Sequence, residues 1–185
     1  MAHDIIQMLT EDHREVEQIF GQLEKTPESN HEERRRLIDQ AIIELVRHSV
    51  AEEEYLYPAA RRYIPDGDEI VDHELSEHHQ AEQTMKKLER NDPSEPQFNQ
   101  LLLELMREIR EHVRDEENEL FPRLRTHADR DTLVALGDKA AGAKASAPTR
   151  PHPSAPSEHP GLLKMLAPGV GLVDRARDAV SGRGR

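Results

Sequence analysis

The chain has 185 residues, no cysteine, and 37 acidic against 25 basic residues, which gives a formal net charge of −12. The absence of cysteine excludes disulfides and thiolate zinc sites, and the negative charge disfavours non-specific binding to nucleic acid, which requires Lys and Arg over phosphates. No apolar run approaches the roughly 20 residues that span a bilayer, and the first residues lack the pattern of a signal peptide, so we expect a cytoplasmic protein without membrane contact.

Turn-forming residues divide the acidic part of the chain, residues 1–130, into four segments with helical periodicity. Pro, Gly, Asn, Asp and Ser are concentrated at residues 26–31, 65–68 and 91–96. Between these places apolar residues recur every three or four positions, the pattern of an amphipathic helix. The predicted helices span approximately residues 3–25, 32–64, 69–90 and 95–127. Because the connections are short, neighbouring helices should be antiparallel, and we predict an all-α, up-down-up-down four-helix bundle.

Each predicted helix carries polar residues on its apolar stripe, where Leu or Ile is expected. They are His13 on the first helix, His48 and Glu52 on the second, His78 on the third, and His112 and Glu116 on the fourth. Five of the eleven histidines are followed by a glutamate four residues later, so the shared position on the stripes is more informative than the spacing. His73 and His79 lie beside the stripe of the third helix and are interpreted as solvated.

The second and fourth helices repeat one pattern. HSVAEEEYLYP at residues 48–58 and HVRDEENELFP at residues 112–122 share their His, two Glu, Leu and Pro positions. A shift of 64 or 65 residues maps the first two helices onto the last two and places His13 on His78. Two similar hairpins would pack about a pseudo-twofold axis, so that equivalent residues face one another across the core.

A polar layer of this composition inside a small bundle requires a partner. A single histidine on an apolar face is usually a core residue bonded to a carbonyl, but four histidines and two carboxylates at one level favour a bound metal, because unpaired buried carboxylates cost several kcal/mol. Zinc prefers one tetrahedral site, whereas six ligands with two carboxylates placed to bridge suit a dinuclear site. Mixed imidazole and carboxylate ligands indicate iron, with manganese less favoured.

Two further expectations concern the environment of the layer. Pro58 and Pro122 lack an N–H and clash with the carbonyl four residues back, so we expect each helix to bend or weaken just after the layer, with Tyr57 and Phe121 packed nearby. Without a metal ion, burial and mutual repulsion should raise the pKa of at least one of the two glutamates in the layer.

The segments EDHREVEQIF, HSVAEEEYLYP, SEHHQAEQTM and HVRDEENELFP resemble those of the hemerythrin-like HHE cation-binding domain family over residues 3–127. This resemblance implies a left-handed four-helix bundle with two non-haem iron ions. The ligands that it implies are His13, His48, Glu52, His78, His112 and Glu116.

The chain departs from the oxygen-carrying hemerythrins on the third and fourth helices. Those proteins have a second histidine one turn from the third-helix ligand and an aspartate on the fourth helix, whereas this chain has Glu74 and Glu82 around His78, and Glu116. More carboxylate should favour oxidised iron, which argues against simple reversible oxygen carriage. Family members with fewer histidines are linked to iron or oxygen sensing, nitric oxide handling and peroxide decomposition.

Three functions are consistent with these features. The first is a di-iron protein that binds or reduces a small diatomic or peroxide ligand, namely dioxygen, hydrogen peroxide or nitric oxide, with or without turnover. The second is an iron store or an iron or oxygen sensor without turnover, which signals through its C-terminal tail. The third is a helical interaction module without metal.

Residues 131–185 have a different composition and are predicted to be a flexible linker with a short amphipathic end. From residue 138 onward the chain has eight basic and four acidic residues, half of the 12 prolines and six of the nine glycines. The Pro-, Ala- and Ser-rich stretch at residues 140–160 should be largely disordered. Leu172, Ala176 and Val180 would share one helical face, and two alternatives remain for this end: a docking face for a protein partner, or a mobile solubilising end.

Overall fold

The helices follow the predicted order in the computed structural model, which describes residues 3–152, 173–174 and 177–178. Their bounds are α1 (Ile5–Lys25), α2 (His31–Ala51), α3 (Tyr57–Tyr63), α4 (Gly67–Arg90), α5 (Pro96–Asp115), α6 (Phe121–His127) and α7 (Arg130–Ser146). The described residues contain no β-strand. Two π-helical turns, Glu52–Leu56 and Glu116–Leu120, join α2 to α3 and α5 to α6, so these pairs form two long rods. With α1 and α4 they form the predicted all-α, four-helix bundle.

Side-chain caps begin several of the helices. Asp4 and Gln7 form a reciprocal capping box at α1, the Asn30 side chain accepts from the backbone N–H of Glu33, and the Asp129 side chain caps α7 in the same way. Each cap satisfies N–H groups that the first turn of a helix leaves without a partner. Of the three predicted turns, the one at residues 26–31 thus supplies the side-chain cap of the next helix through Asn30.

Two apolar clusters fill the bundle, one on each side of a polar level. Helix α1 packs against α2, and α4 packs against α5, which gives the two hairpins expected from the repeat. The cluster at the closed end of the hairpins contains Val16, Phe20, Leu23, Ile38, Leu45, Met85, Leu88, Phe98, Leu105 and Ile109, among others. The cluster at the other end contains Ile5, Leu9, Leu56, Tyr57, Val71, Leu120, Phe121 and Leu124, among others. Each rod passes from one cluster to the other at its polar residues.

The two π-helical turns lie where the prolines were expected to weaken the helices. The backbone N–H groups of Tyr57 and Phe121 donate to the carbonyls of Glu52 and Glu116, five residues back. The next residue in each rod is Pro58 or Pro122, which has no N–H with which to continue the α-helical ladder. Because a π turn places residues five apart close together on the helix surface, both the glutamate and the aromatic residue can point inward.

Helix α7 corrects the prediction that the linker begins at residue 131. Leu133, Gly137 and Ala140 are buried where α7 packs on α1, α2 and the first π turn. A Cβ atom on Gly137 would lie 2.5 Å from the carbonyl oxygen of His3, so α7 approaches the start of α1 through the absence of a side chain. The Ala and Gly content that indicated a linker instead allows close helix packing, and the helical body extends to Ser146.

The described part of the chain after α7 contacts α4 and itself. Lys86 donates to the carbonyl of Pro151 over 3.2 Å, and Arg150 lies 3.4 Å from a carboxylate oxygen of Glu89. Arg150 also forms an ion pair of 2.6 Å with Asp178. Of the residues predicted to form an amphipathic end, Leu172, Ala176 and Val180 lie outside the described residues. Within the described chain, no helix is both long enough and apolar enough to cross a membrane.

Candidate metal centre

The six polar stripe residues meet in one buried layer between the two apolar clusters. His13 comes from α1, His48 from α2, His78 from α4 and His112 from α5, while Glu52 and Glu116 are the first residues of the two π turns. All four histidines are at most 6% exposed, and both glutamates are 0% exposed. The structure therefore brings together every residue that the sequence placed in the site.

The layer has two halves, each with a pair of histidines. In the first half, the Nε2 atoms of His13 and His48 lie 3.2 Å apart, and in the second half those of His78 and His112 lie 3.3 Å apart. Two nitrogen ligands on one metal ion, with bonds of about 2.1 Å at roughly right angles, lie about 3 Å apart. Each pair thus has the spacing of two ligands of one ion.

Glu52 connects the two halves. Its Oε1 lies 2.9 Å from His48 Nε2 and its Oε2 lies 3.2 Å from His78 Nε2, so each oxygen faces a different half. Glu116 is placed similarly, with its Oε2 3.4 Å from His13 Nε2 and 3.6 Å from His112 Nε2. Both carboxylates thus lie between the two pairs of histidines.

Most carboxylate oxygens of the layer lack a well-placed hydrogen bond. Both oxygens of Glu52 and the Oε2 of Glu116 are buried without a hydrogen bond of good geometry. Buried carboxylate oxygens are rarely left in this state, because the desolvation is costly. Lone pairs of imidazole nitrogens and carboxylate oxygens converge on the same space, a donor set that fits metal cations. Two of the groups that could hold an ion are His13, His48, Glu52 and Glu116, and Glu52, His78 and His112.

The pKa of Glu52 is shifted in the direction opposite to the rise expected for at least one of the two glutamates. Burial alone would raise the pKa of Glu52, but His48 and His78 outweigh it and hold the pKa well below its ordinary value. Burial alone would lower the histidine pKa values, yet the carboxylates raise the pKa of His48 to about 10 and that of His78 to about 9. Without a cation, the protons therefore sit on these imidazoles and Glu52 stays ionised, since the glutamates face histidines rather than only each other.

The Nδ1 atom of every histidine in the layer, which points away from the centre, contacts a carboxylate. The Nδ1 of His13 lies 2.9 Å from Glu117, that of His48 lies 3.2 Å from Asp12, that of His78 lies 3.0 Å from Glu53, and that of His112 lies 3.1 Å from Glu77. Such contacts fix the ring orientation and direct the Nε2 lone pair toward the centre, as carboxylates do behind metal-bound histidines.

These four carboxylates follow the internal repeat, and the sequence analysis missed them. Asp12 and Glu77 precede the histidines of α1 and α4 by one residue, and Glu53 and Glu117 follow the two bridging glutamates by one residue. An acidic residue next to each stripe residue, at equivalent positions of both repeats, was the available signal. It was hidden because the chain is rich in Glu throughout.

Comparison with known proteins supports a metal-binding role for this layer. The family model described as Hemerythrin HHE cation binding domain matches residues 4–124. The chain belongs to the hemerythrin HHE cation-binding family. The match spans all six residues of the layer.

Two proteins and one solved structure illustrate what this chain is similar to. An uncharacterised hemerythrin-like protein of Schizosaccharomyces pombe is 27% identical over 150 residues, 80% of this chain and 73% of that protein. A DNA nickase of Nostoc sp. is 29% identical over 126 residues, 67% of this chain but only 33% of that longer protein. The crystal structure of a hemerythrin HHE cation binding domain-containing protein from Mycobacterium kansasii superposes with a TM-score of 0.68 at 22% identity, covering 95% of this chain and 98% of that chain. This last similarity confirms the fold.

The two halves of this HHE domain are not identical. The phenol oxygen of Tyr57 lies 2.9 Å from His78 Nε2 and 3.3 Å from Glu116 Oε1. At the equivalent position in the other half, the ring of Phe121 stacks on His13 at a centroid distance of 5.7 Å. The second half therefore has a polar oxygen next to its histidine where the first half has only a hydrocarbon ring.

Glu74 adds a further carboxylate to the second half. It is 2% exposed, and its Oε2 lies 2.9 Å from His112 Nδ1. Burial raises the pKa of Glu74, partly opposed by its hydrogen bond to His112, and the negative charge of Glu116 raises it further. Glu74 lies one turn before His78, and its carboxylate is grouped with His112 and Glu116 closely enough to hold an ion.

The remaining histidines of the HHE domain lie outside the layer. His79 is exposed and contacts Gln83, so the stripe correctly distinguished it from His78. The other exposed histidines of the domain are His3, His31, His73 and His127.

A small cavity adjoins the layer. Its volume is about 20 Å³, and apolar lining residues include Val16, Leu45, Ala81, Met85 and Ile109. All four histidines of the layer also line it, whereas Tyr57 does not. A cavity that holds one water needs roughly 10–15 Å³, so this one has room for a water-sized molecule next to the imidazoles.

Proposed function

We propose that this chain is a non-haem di-iron protein that binds or reduces a small oxidant, namely dioxygen, hydrogen peroxide or nitric oxide. The observation that supports this proposal most directly is the bridging position of Glu52, with one carboxylate oxygen toward each pair of histidines. His13 and His48 would hold one ion, His78 and His112 the other, and Glu52 and Glu116 would be shared.

The ligand types favour iron over the other common metals. Imidazole and carboxylate groups together suit iron, and manganese is the second choice. A structural zinc site is commonly a closed tetrahedron of four ligands, and six convergent ligands with two bridging groups exceed it. When bound, a pair of iron ions supplies two one-electron donors side by side.

The chain's own residues would restrict what reaches the centre. The cavity beside the imidazoles is about 20 Å³ and mostly apolar, so it would admit a diatomic or peroxide molecule and exclude larger substrates. The apolar clusters on both sides of the layer keep bulk water away. Tyr57 fills the layer on the side away from the cavity, where burial and nearby carboxylates raise its pKa well above the ordinary value, so its oxygen keeps its proton.

A second candidate function is an iron store or an iron or oxygen sensor without turnover. The observation that favours it is a contact between the layer and α7, in which Lys144 forms an ion pair of 2.5 Å with Asp12, the carboxylate behind His48. A change in metal occupancy at His48 could therefore alter the packing of α7 and of the segment after it. Metal-dependent folding without oxidant turnover would support this alternative.

The proposal is tested by iron content and by a pair of neighbouring histidine variants. Loaded with ferrous iron without oxygen, the wild-type chain should bind close to two iron ions. His78→Ala should lower the iron content and the charge-transfer absorption, while His79→Ala, an exposed control on the same helix, should leave both unchanged. One tightly bound zinc and no iron would contradict the di-iron proposal. Consumption of peroxide by the loaded protein would then separate an oxidant-reducing function from storage or sensing.

A further inference from the structure

A second group of possible metal ligands lies on the surface behind the second half of the layer. His73, Glu77 and Asp115 each offer one ligand atom, and these atoms lie within 4.8 Å of one another. His73 Nε2 is 3.4 Å from Glu77 Oε1. The three side chains are 62%, 27% and 42% exposed, respectively, so solvent and ions can reach the group.

The internal repeat places a positive charge at the equivalent position in the first half. Glu77 is the equivalent of Asp12, because each accepts from the Nδ1 of a histidine on the next long rod. In the first half, the ammonium group of Lys144 lies 2.5 Å from Asp12 and supplies a cation. In the second half, no Lys or Arg among the described residues forms an ion pair with Glu77, whose ion-pair partners are His73 and His112.

The residues around the two equivalent carboxylates differ in a way that matches this difference in charge. Shifting His73 and Asp115 back by the repeat length gives Met8 and Ala51, neither of which can bind a cation. The first half thus has the Lys144 ammonium group and no extra ligands, whereas the second half has His73 and Asp115 in place of a lysine. Asp115 has one basic neighbour, the exposed Arg114, at 3.3 Å.

We propose that His73, Glu77 and Asp115 bind a divalent cation of the manganese(II) or iron(II) class, at a separate metal site outside the buried layer. One imidazole and two carboxylates are suitable ligands for such ions, and water would complete the coordination at an exposed site. The second oxygen of Glu77 lies 3.1 Å from His112 Nδ1, so this ion would be one carboxylate away from the inner layer.

The site is tested by counting manganese(II) ions bound to the full chain, from the free-ion signal in electron paramagnetic resonance. The variant is His73→Ala combined with Asp115→Asn, which removes two of the outer ligands and leaves Glu77 in place behind His112. The control is His79→Ala, another exposed histidine on α4. Far-ultraviolet circular dichroism checks that all three proteins keep the same helix content.

The wild-type chain and His79→Ala should each bind one more manganese(II) ion than the double variant. The same count in the double variant as in the wild type, or loss of the same ion in His79→Ala, would overturn the proposal. The result is a difference of one ion between proteins, so it does not depend on how many ions the inner layer takes and is independent of the di-iron proposal.

Discussion

His48 and His78 must lose protons before either can bind a metal ion. Their pKa values in the metal-free chain are about 10 and about 9, because the stabilising carboxylates outweigh the burial that would lower them. At neutral pH both imidazoles are therefore charged, and a metal ion competes with protons for the same nitrogen atoms. Metal binding and proton release are coupled at these two residues.

We expect metal affinity to rise with pH between 6 and 9, by about tenfold per pH unit for each proton displaced. The metal-free chain should show the opposite trend. Both histidines have raised pKa values, so their contribution to stability is complete below about pH 6.5 and is lost as the pH rises through 9 to 10. Calorimetric titration of manganese(II) in two buffers with different ionisation enthalpies counts the protons released. An affinity that does not change from pH 6 to pH 8 would contradict this assignment of protons.

At the scale of elements, the π turns position both a ligand and an aromatic residue. Pro58→Ala supplies an N–H group that can bond to the carbonyl of Glu54 and restore a regular α-helix, which would rotate Tyr57 relative to Glu52. We expect unchanged helix content but metal affinity that is roughly ten- to hundredfold lower, the usual effect of disturbing the surroundings of metal ligands.

Pro96→Ala is the matched control for this prediction. Pro96 is the first residue of α5, where a missing N–H has no partner to lose. Circular dichroism and manganese(II) titration of both variants measure the two quantities. Equal affinities in Pro58→Ala and Pro96→Ala would show that the π turn has no influence on the layer.

Helix α7 depends on one glycine for its position. In Gly137→Ala the new Cβ would lie 2.5 Å from the carbonyl oxygen of His3 and 3.0 Å from the backbone nitrogen of Ile5, both of which are backbone atoms that cannot turn away. We expect the free energy of unfolding to fall by about 1–3 kcal/mol, the range for overpacking. Gly142→Ala is the control, since its Cβ would meet nothing within 4 Å and should be neutral or stabilising by about 0.5–1 kcal/mol. Urea unfolding measures both, and equal stability of the two variants would mean that α7 does not pack closely on α1.

At the scale of the whole molecule, the bundle consists of two apolar clusters separated by a layer that needs cations. Binding to the folded state alone stabilises it by ~4 kcal/mol when the free metal exceeds its dissociation constant a thousandfold. For a chain of this length that corresponds to a rise of roughly 8–16 °C in the melting temperature. The metal-free chain should still fold, because both apolar clusters remain packed.

We therefore expect the iron-loaded chain to melt well above the metal-free chain at neutral pH. The difference should shrink as the pH falls toward 4, because protonated imidazoles and carboxylates release the metal. Differential scanning calorimetry of both forms across this pH range tests the expectation. Identical melting temperatures at neutral pH would mean that the layer is satisfied without a cation.

The sequence by itself determined the number of helices in the bundle and the level of the polar layer. Both depend on the periodicity along one helix, which is a local property. The internal repeat independently supports the equivalence of His13 with His78 and of Glu52 with Glu116. The same stripe correctly separated His78 from His79.

Only the tertiary structure decided which groups surround the layer. The contacts to the histidine Nδ1 atoms join residues of different helices. The pattern along a single helix therefore does not reveal that Asp12 contacts His48 or that Glu53 contacts His78. The low pKa of Glu52 depends on His48 of the same rod and on His78 of α4, and only the structure shows how closely both imidazoles approach its carboxylate. Helix α7 was missed because Gly137 and Ala140 have little apolar surface, and their docking depends on the close approach of another backbone. Lys144 lies behind only the first half of the layer, because α7 packs on α1, α2 and the first π turn.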